Sequence, residues 1–422
     1  MPITLGCIAD DFTGATDLAN MLVKGGLKTI QLLGIPNQKD VDPSVEAVVI
    51  ALKTRTIPVR EAVSQSLQAL SWLKAVGTER FFFKYCSTFD STDEGNIGPV
   101  IDAFMADLEA SFTIACPAFP ETGRTIFKGH LFVGDKLLSD SPMRNHPLTP
   151  MTDSNLVSIL SRQSSLKVGL VQYQDVSGGA PKIKGAFNEL KRGGVSIAVT
   201  DVLNDEHLHF LGEAVKEFKL ITGGSGIALG LPYHWKSGNG SKEGMTADQL
   251  PEVSGKELVL SGSCSEMTRA QVDEFSKNNR ALKLNPIELA KDTSALNKAI
   301  DWVIKAEIGR PILVYASAPP DTVKEIQQTL GQDLASSTVE NAMAKIASEA
   351  VKNGFRRIVV AGGETSGAVV SKLGINSILI GKEIDPGVPA TVSVGTPIIS
   401  LVLKSGNFGS VDFFEKAFKQ MP

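Results

Sequence analysis

Two adjacent carboxylates follow the first apolar run of the chain. Leu5 to Ala9 is a short apolar segment, and Asp10, Asp11 and Thr13 come directly after it. The segment has the length of a buried strand, and the apolar spacing from Ala15 to Val23 predicts a helix. Open parallel sheets bind ligands at such strand-to-helix turns. Two acids there can take a proton, bind Mg²⁺ or hold sugar hydroxyls, so Asp11 and Asp10 are candidate catalytic residues and Thr13 a candidate substrate contact.

The same residues also allow a structural interpretation. Asp10 or Thr13 could cap the helix by accepting a hydrogen bond from one of its first backbone N–H groups. A cap needs one such side chain, whereas the sequence Asp-Asp-x-Thr-Gly supplies several. We therefore favour a functional role for the acid pair, and the sequence leaves open which acid is the base.

Polar residues also follow other apolar runs of the first half. Because the carboxyl ends of parallel strands meet at one edge of a sheet, these residues could converge with the acids in one crevice. Lysine and arginine suit a carboxylate ligand, and acids and hydroxyls suit a polyhydroxylated body. Taken singly, each basic residue is more typical of a solvated surface, so the prediction depends on their repetition. The candidate substrate-binding residues here are Lys53, Arg55, Lys84, Ser87, Asp90 and Arg124, with Asp153 as either a helix cap or a further crevice residue.

A glycine-rich turn follows the last apolar run of the first half. Residues 222–226 read Thr-Gly-Gly-Ser-Gly and lead into an apolar run of helical spacing. The backbone N–H groups of such a turn, together with a helix N-terminus, can bind an anion. We therefore include Gly223, Gly224 and Ser225 among the candidate substrate-binding residues. A plain helix N-terminus explains the turn equally well.

The second half contains three glycine-rich turns, each after an apolar run. The clearest spans residues 362–367, Gly-Gly-Glu-Thr-Ser-Gly, between a predicted strand and a predicted helix. Glycines let a backbone approach phosphates, and hydroxyl side chains add hydrogen-bond donors. Similar turns follow residues 258–260 and 398–403. Three such turns indicate a nucleotide-binding surface, and because no G-x-x-x-x-G-K-[ST] motif occurs, that surface is not a P-loop.

The elements that must position these residues alternate along the chain. In the first half, short apolar runs alternate with amphipathic stretches of helical spacing, which is typical of a mostly parallel sheet covered by helices. The predicted strands after the first cover residues 29–33, 47–52, 80–85, 112–116, 167–171, 196–200 and 220–222. The predicted helices between them cover residues 59–75, 97–109, 153–162, 182–192 and 206–217.

The alternation breaks at residues 236–256, which start with a Gly-, Ser- and Lys-rich stretch without apolar periodicity and are typical of a linker. It then resumes. We therefore predict an α/β protein with two domains, 1–235 and 257–422, each a mostly parallel sheet covered by helices, and a ligand cleft between them. The strands predicted after the linker cover 257–260, 311–315, 357–361, 377–380 and 398–403, and the helices 266–277, 293–306, 322–330 and 339–353.

Composition narrows the classes of function. The chain has 422 residues, of which 21% are charged, and a net charge of -4, so it offers no basic surface for nucleic acid. No apolar stretch reaches membrane-spanning length, and no leader precedes the first strand. The four cysteines lack a C-x-x-C pair, which is typical of free thiols in a reducing compartment. We expect a cytoplasmic protein that binds neither nucleic acid nor membranes, and a homo-oligomer stays open.

Together, these motifs resemble those of the four-carbon acid sugar kinase family, and the resemblance extends essentially from end to end. Within the family, the chain is most similar to the branch that phosphorylates 3-oxo-tetronates, in part through residues 84–98 and 261–265. The motifs that carry the resemblance are Ile-Ala-Asp-Asp-Phe-Thr-Gly-Ala-Thr-Asp at 8–17, Lys-Tyr-Cys-Ser-Thr-Phe-Asp-Ser-Thr at 84–92, Pro-Met-Thr-Asp-Ser at 150–154, Thr-Gly-Gly-Ser-Gly at 222–226 and Ala-Gly-Gly-Glu-Thr-Ser-Gly at 361–367.

The resemblance implies an N-terminal domain for a small sugar acid and a C-terminal domain for ATP, with Mg²⁺ as the accompanying ion. It implies transfer of the γ-phosphoryl group to the terminal (4-) hydroxyl of a four-carbon 3-oxo acid. The sequence does not identify metal ligands. The positions that correspond to the family's ATP contacts are Ser261 or its neighbour Ser263, Gly362, Gly363, Glu364, Thr365, Ser366 and Gly406.

Phosphoryl transfer requires mainly positioning and neutralisation of charge. We hypothesise that Asp11 or Asp10 orients or deprotonates the acceptor hydroxyl, and that the four basic residues named above include the clamp for the substrate carboxylate. Specificity for D-threonate or D-erythronate stays open within the family. A dinucleotide-dependent oxidoreductase built on the turn at Gly224 and a non-catalytic sugar-acid binder are alternatives from other classes.

Overall fold

The chain divides into two structural units. The structure, a computed structural model, describes residues 3–36, 41–146, 148–231, 235 and 247–422. Unit 1 is Met1–Asp248 and unit 2 is Gln249–Pro422. Residues 236–246 of the predicted linker lie outside the described residues. Each unit is a mostly parallel sheet covered by helices, which confirms the predicted fold class, while the cleft expected between the units stays a prediction.

Unit 1 is built on a parallel sheet. Its described strands run in the order β2-β3-β1-β4-β11-β5-β10-β9, and every pairing given for them is parallel. The central strands β1, β3, β4 and β11 are buried along their whole length, because helices cover both faces. The strands of this sheet are β1 (Leu5–Ala9), β2 (Thr29–Leu33), β3 (Ala47–Ala51), β4 (Phe81–Lys84), β5 (Thr113–Cys116), β9 (Val168–Val171), β10 (Ile197–Thr200) and β11 (Leu220–Gly223).

The helices of unit 1 connect these strands. The helices are α1 (Phe12–Lys24), α2 (Val59–Ala75), α3 (Ile97–Asp107), α4 (Leu156–Gln163), α5 (Tyr173–Val176), α6 (Ala180–Arg192) and α7 (Asp205–Val215). Helix α2 has the predicted bounds. Helix α4 begins three residues later than predicted, because its N-cap is Asn155, whose Oδ1 accepts from the Ser158 N–H at 3.1 Å. Asp153 is therefore not the cap.

A small antiparallel sheet in unit 1 was not predicted. It consists of β6 (Arg124–Phe127), β7 (His130–Val133) and β8 (Lys136–Leu137). The three strands are only two to four residues long, so the period-2 alternation that identifies a strand is too short to recognise here.

The strands of unit 2 run in the order β13-β14-β12-β15-β18-β17-β16. Their pairings are parallel except those of β17, which is antiparallel to both β16 and β18. Strands β13 and β17 were not predicted, and β13 is mostly exposed, so it lacks the apolar run of a buried strand. The strands are β12 (Lys256–Ser261), β13 (Arg280–Lys283), β14 (Ile312–Tyr315), β15 (Phe355–Ala361), β16 (Ser377–Asp385), β17 (Val388–Ser393) and β18 (Ser400–Lys404).

The break predicted between two helices of unit 2 is shorter in the structure than the sequence pattern indicated. Residues 332–338 belong to α12, which therefore begins seven residues before the predicted start, and Gly331 with φ of 81° separates it from α11. Helices α9 and α14 were not predicted. The helices are α8 (Glu266–Ser276), α9 (Pro286–Lys291), α10 (Thr293–Ile304), α11 (Pro320–Leu330), α12 (Gln332–Lys352), α13 (Gly363–Lys372) and α14 (Phe413–Gln420).

Unit 2 has a hydrophobic core of its own. Strands β12, β14, β15 and β18 contribute one buried aliphatic face, and helices α8 and α14 cover it. Phe275 of α8 packs edge-to-face on Phe414 of α14, with ring centroids 5.8 Å apart. Among the described helices of the whole chain, none is long and apolar enough to cross a membrane.

Candidate active site

The sheet of unit 1 brings the ends of three strands together. Strand β1 lies between β3 and β4, so the residues that follow these strands are neighbours. The Asp10 N–H donates to the Lys84 carbonyl at 3.1 Å, and the Thr54 N–H donates to the Asp10 carbonyl at 2.9 Å. These backbone bonds fix Asp10, Lys84 and the segment that carries Arg55 at one edge of the sheet, as the polar residues at strand ends predicted.

Arg55 holds the two adjacent acids. Its Nε donates to Oδ2 of Asp10 at 2.9 Å, and its Nη2 donates to Oδ1 of Asp10 at 2.8 Å and to Oδ1 of Asp11 at 2.6 Å. The first two bonds form a bidentate fork, the strongest arrangement for a guanidinium and a carboxylate. Arg55 also lies 3.7 Å from Oδ2 of Asp90. In this structure Arg55 therefore organises the acids, a contact that its predicted role in binding the substrate did not include.

The two acids differ in their other partners. Asp10 is buried, and both of its oxygens accept from Arg55. Asp11 is the N-cap of α1, because its Oδ1 accepts from the Gly14 N–H at 3.1 Å. The cap predicted for Asp10 or Thr13 therefore belongs to Asp11. One carboxylate combines the cap with the contact to Arg55, so the structural and functional interpretations do not exclude each other.

The two acids also differ in the direction of their pKa shifts. Burial raises the pKa of Asp10, although Arg55 opposes the shift. Burial would raise the pKa of Asp11 as well, but Lys84, Arg55 and the Gly14 N–H together hold it below its usual value. Lys84 is itself buried, with its Nζ 2.4 Å from the position that a Cβ on Gly14 would occupy. Asp11 is therefore ionised at neutral pH, as an acceptor for a hydroxyl proton must be.

A strained loop supplies the third acid. Asp90 accepts from the Thr88 hydroxyl at 2.6 Å, and both Phe89 and Asp90 have positive φ, 65° and 34°. Such backbone conformations cost on the order of 1 to 3 kcal/mol each and occur often at functional sites. Asp10, Arg55 and Asp90 line one small pocket. The sequence showed the polar residues of this loop but not its strain.

The sequence did not predict one residue, Asn96, that positions the segment carrying Arg55. The Asn96 amide donates to the carbonyls of Thr54, Arg55 and Ile57, at 2.7, 3.3 and 2.9 Å. These bonds hold the segment that carries Arg55. A lone asparagine ahead of a helix is typical of a cap, so no sequence pattern indicated this contact between distant segments.

The other candidate substrate residues of unit 1 lie outside the described contacts of the acid cluster. Thr13 is exposed in the first turn of α1, and Lys53 lies over the Phe12 ring at 5.1 Å.

Asp153 pairs with Arg162 at 2.9 Å. This pair and a backbone hydrogen bond from Asn155 lower the pKa of Asp153, although burial opposes the shift. Arg124 lies in β6 and donates to the Thr122 carbonyl. Ser87 is half-buried. Roles for these residues in binding stay predictions.

The glycines that follow β11 serve packing. A Cβ on Gly223 would lie 2.3 Å from the Cys116 carbonyl oxygen, and one on Gly224 2.7 Å from that of Pro117. The Gly224 N–H donates to the Cys116 carbonyl at 3.0 Å, so it is not available to an anion. The predicted anion site therefore lacks one of its donors. Ser225 differs, since its buried Oγ has no hydrogen-bond partner among the described residues.

In unit 2, the three glycine turns predicted from the sequence meet. Strand β15 lies between β12 and β18, so residues 262–265, 362–365 and 405–406 follow neighbouring strands. A Cβ on Gly262 would lie 2.1 Å from the Thr365 Oγ1, and one on Gly406 2.5 Å from the Ser263 Oγ. Gly362, with φ of 124°, is the residue before α13, and Gly363 begins that helix. The turns form one surface at the carboxyl edge of the sheet, where open sheets bind nucleotides.

The candidate nucleotide residues differ in exposure. Gly363 and Glu364 are exposed, and nothing lies within 4 Å of a Cβ built on Gly363. The Ser261 hydroxyl is buried against that of Ser317 at 2.9 Å. Ser263 is half-buried. Ser366 has a buried hydroxyl without a hydrogen-bond partner among the described residues. Ser263 therefore fits a ligand contact better than Ser261, an alternative that the sequence left open.

Two family models cover most of the chain. A model described as a sugar-binding N-terminal domain matches residues 5–231, and one described as a nucleotide-binding C-terminal domain matches residues 258–414. The acid cluster lies in the first match, and the three glycine turns lie in the second.

Curated relatives match nearly the whole chain. A protein of Burkholderia multivorans is 51% identical over 99% of this chain and 97% of its own length, and one of Pseudomonas savastanoi pv. phaseolicola is 52% identical with the same coverage. One of Haemophilus influenzae is 47% identical over 98% of each chain. All three are named 3-oxo-tetronate kinase.

Solved structures confirm the fold over the whole chain. A Salmonella typhimurium LT2 protein, described provisionally as a tRNA synthase, superposes with a TM-score of 0.93 and is 40% identical over 100% of both chains. A Haemophilus influenzae protein superposes with a TM-score of 0.88 and is 45% identical over 99% of this chain and 100% of its own.

Proposed function

This chain belongs to the four-carbon acid sugar kinase family, and we propose that it transfers the γ-phosphoryl group of ATP to the terminal hydroxyl of a four-carbon 3-oxo sugar acid. The observation that carries the proposal is the identity of 46% to 52%, over at least 98% of this chain, with relatives named 3-oxo-tetronate kinase. The ionised Asp11 held by Arg55 supplies the chemistry that such a transfer needs.

We infer that Asp11 is the acid that meets the acceptor hydroxyl. Both oxygens of Asp10 are occupied by Arg55, whereas the bonds from Arg55 and Gly14 both end on Oδ1 of Asp11. The lowered pKa of Asp11 keeps it ionised, so it can orient the hydroxyl and accept its proton as phosphorus is attacked. Asp10 then keeps Arg55, and through it Asp11, in position.

The substrate carboxylate needs a positive partner near these acids. Lys84 is the best placed, because its buried ammonium group lies beside Asp11 and no acid pairs with it among the described ion pairs. Arg55 already pairs with Asp10, Asp11 and Asp90, so a substrate carboxylate would gain less from it. We propose Lys84 as the principal cation for the substrate, with Lys53 and Arg124 as the remaining candidates.

ATP is assigned to the three glycine turns, with Mg²⁺ bound mainly by its phosphates. Among the described residues, no group of three acids, histidines or cysteines could hold a metal ion by itself. Mg²⁺ needs only one or two carboxylates when phosphates and water complete its shell. The exposed Glu364, in the first turn of α13, fits this role. The ion, when bound, would neutralise the charge that develops on the transferred group.

The compartment is also part of the proposal. All four cysteines are free thiols, and Cys7 and Cys116 are buried. Burial raises the pKa of Cys116 to about 11 and keeps it protonated and unreactive. Free thiols of this kind are typical of a reducing compartment, which supports placement in the cytoplasm.

The test is turnover on a panel of acids. Purified protein with ATP and Mg²⁺ would be offered 3-oxo-tetronate, D-threonate and D-erythronate, with ADP release as the rate and phosphorus NMR to locate the new phosphate. We expect a 4-phosphate from the 3-oxo acid, with kcat/KM at least tenfold above the others. Preference for threonate or erythronate would move the chain to another branch of the family. Reduction of NAD⁺ or NADP⁺ without ADP release would overturn the kinase assignment.

A further inference from the structure

The loop after β18 is held from inside by three side chains. Residues 405–410 are called the β18 loop below. The Gln271 amide of α8 donates to three of its carbonyls at 2.9 to 3.1 Å, and the Thr268 hydroxyl donates to a fourth at 2.7 Å. The Lys404 ammonium donates to two carbonyls, both at 3.1 Å. The carbonyls held in this way are those of Ser405, Gly406, Phe408, Gly409 and Ser410.

Lys404 is a buried cation among neutral partners. Only 2% of the residue is exposed, and its Nζ also donates to the Thr268 hydroxyl at 3.1 Å. The described hydrogen-bond partners of its Nζ include no acid, and burial alone lowers its pKa, to about 8. A buried ammonium group without a counter-charge is costly, so lysine at such a position calls for a function.

The position of Lys404 suggests that function. Its carbonyl accepts from the Gly362 N–H at 2.9 Å, and its side chain binds the carbonyl of Gly406, which packs on Ser263. Lys404 therefore contacts the β18 loop and the turn that begins α13, two of the three turns assigned to the nucleotide. The five carbonyls held in this way face Lys404 and α8, so they do not present negative charge to a phosphate.

Building on the proposed kinase function, we propose that Lys404 is a positioning residue for the polyphosphate of the nucleotide. It keeps the carbonyls of the β18 loop turned inward, and its unbalanced positive charge stabilises phosphate groups bound on the three turns. An anion on these turns would provide the missing counter-charge. The effect of Lys404 should therefore increase with the negative charge of the ligand.

The test compares ATP, ADP and AMP by titration calorimetry, with Mg²⁺ constant and without sugar acid. Lys404→Met removes the charge and the hydrogen bonds, Lys404→Gln keeps a donor without the charge, and Lys372→Met removes an exposed lysine of α13 as the matched control. For Lys404→Met we expect ATP affinity to fall at least tenfold, ADP affinity less and AMP affinity within about threefold. Lys404→Gln should follow the same order, and Lys372→Met should resemble the parent.

Other outcomes would overturn the inference. Equal losses for all three nucleotides in folded Lys404→Gln would show a merely structural lysine. Unchanged ATP affinity in both variants would show no role. If Lys404→Met does not fold, Lys404→Gln decides the question by the same ratios. Failure of the kinase proposal is distinguishable, because the parent would then bind no nucleotide or would release no ADP with the acids.

Discussion

At the scale of single residues, the site depends on an unequal pair of acids. Asp10 is bound through both oxygens and its pKa is raised, whereas Asp11 is shared between Arg55 and a helix N-terminus and its pKa is lowered. Neighbouring acids whose environments shift their pKa values in opposite directions commonly have different tasks. We propose that Asp10 supports Arg55 and that Asp11 contacts the reacting hydroxyl.

The first prediction concerns Asp11→Asn. Asparagine retains the cap on Gly14 and most of the volume but lacks a basic oxygen, so kcat should fall by about a hundredfold or more, the usual contribution of a general base. ATP affinity should change little. Steady-state kinetics with ADP detection, together with the melting temperature, measure both effects.

Asp10→Asn is the matched control for that variant. The substitution weakens the bidentate pair between residue 10 and Arg55 and leaves the guanidinium without its full counter-charge. We therefore expect the free energy of unfolding to fall by about 3 kcal/mol, in the range for a broken buried ion pair. Any fall in kcat should follow from this loss of stability. Asp11→Ala adds the loss of the cap, worth roughly 1 kcal/mol. Assignment of Asp11 as the reacting acid would be wrong if Asp11→Asn turned over within a few-fold of the parent.

The second prediction concerns pH and Lys404→Met. The pKa of Lys404 is lowered from 10.5 to about 8 in the folded chain. Between these values the unfolded chain binds more protons, so stability increases as pH rises through this window, and below pH 8 the full cost of the buried charge applies. Lys404→Met should therefore raise the free energy of unfolding at pH 7 by up to about 3 kcal/mol.

Chemical denaturation from pH 7 to pH 10 measures this difference. The advantage of methionine should shrink as the pH rises above 8, because the parent lysine then loses its proton in the folded state. Part of the gain will be offset by the carbonyls that lose a donor. A variant that is less stable than the parent at every pH would show that the hydrogen bonds of Lys404 outweigh the cost of its charge.

The sequence predicted which residues lie in the site better than it predicted the contacts between them. Asp10, Arg55, Lys84 and Asp90 converge as expected, because parallel strands fix where their ends lie. The pairing of Arg55 with the acids, in place of a substrate, could not be predicted from the sequence, because an ion pair depends on the directions of its side chains. Lys404 had a usable signal, because like Lys84 it is a lysine at the end of a buried strand.

At the scale of elements, glycine turns of similar sequence have different structural roles. The turn after β11 packs against the backbone that follows β5, whereas Gly363 at the start of α13 faces open space. Sequence reasoning treated both as anion sites, because a glycine required for space and a glycine required for a ligand look alike. The buried parallel strands were largely predictable, whereas exposed β13 and buried antiparallel β17 were not, because β13 lacks an apolar run and Pro389 interrupts the apolar pattern of β17.

The third prediction is a graded series at Gly363. Alanine and then valine add bulk where nothing lies within 4 Å, so folding should tolerate both, while the approach of a phosphate is hindered. We expect ATP affinity to fall modestly for Gly363→Ala and at least tenfold for Gly363→Val, with sugar-acid binding retained. Titration of each ligand and a melting curve separate these effects.

Gly223→Ala is the contrasting variant for this series. Its Cβ would lie 2.3 Å from a carbonyl oxygen. Overpacking should therefore destabilise the fold by about 1 to 3 kcal/mol or more and weaken the binding of every ligand. Loss of both ligands in a folded Gly363→Val protein would instead show that this turn is structural.

At the scale of the whole molecule, the chain divides into two structural units, and unit 2 contains a hydrophobic core of its own. The fourth prediction is that a fragment of residues 249–422 folds and binds ATP, because the β12-β15-β18 layer and helices α8 and α14 form a core within unit 2. ATP should raise its melting temperature, and the sugar acid should not. Gly363→Val in the fragment is the control. A folded fragment without affinity for ATP would contradict our assignment of the nucleotide to unit 2.

The crowded glycines of unit 1 affect how natural sequence variation in this family should be read. A Cβ would lie 2.2 to 2.3 Å from a carbonyl oxygen at Gly212, Gly223, Gly226 and Gly230. Selection would reject nearly every replacement at these positions in any protein with this fold, whatever its substrate. Conservation of these glycines reflects the close approach of the backbone, so it does not identify a ligand-binding residue. Replacements at Gly363 meet no such obstacle, and strict retention of glycine at that position across species would be evidence of selection by the nucleotide.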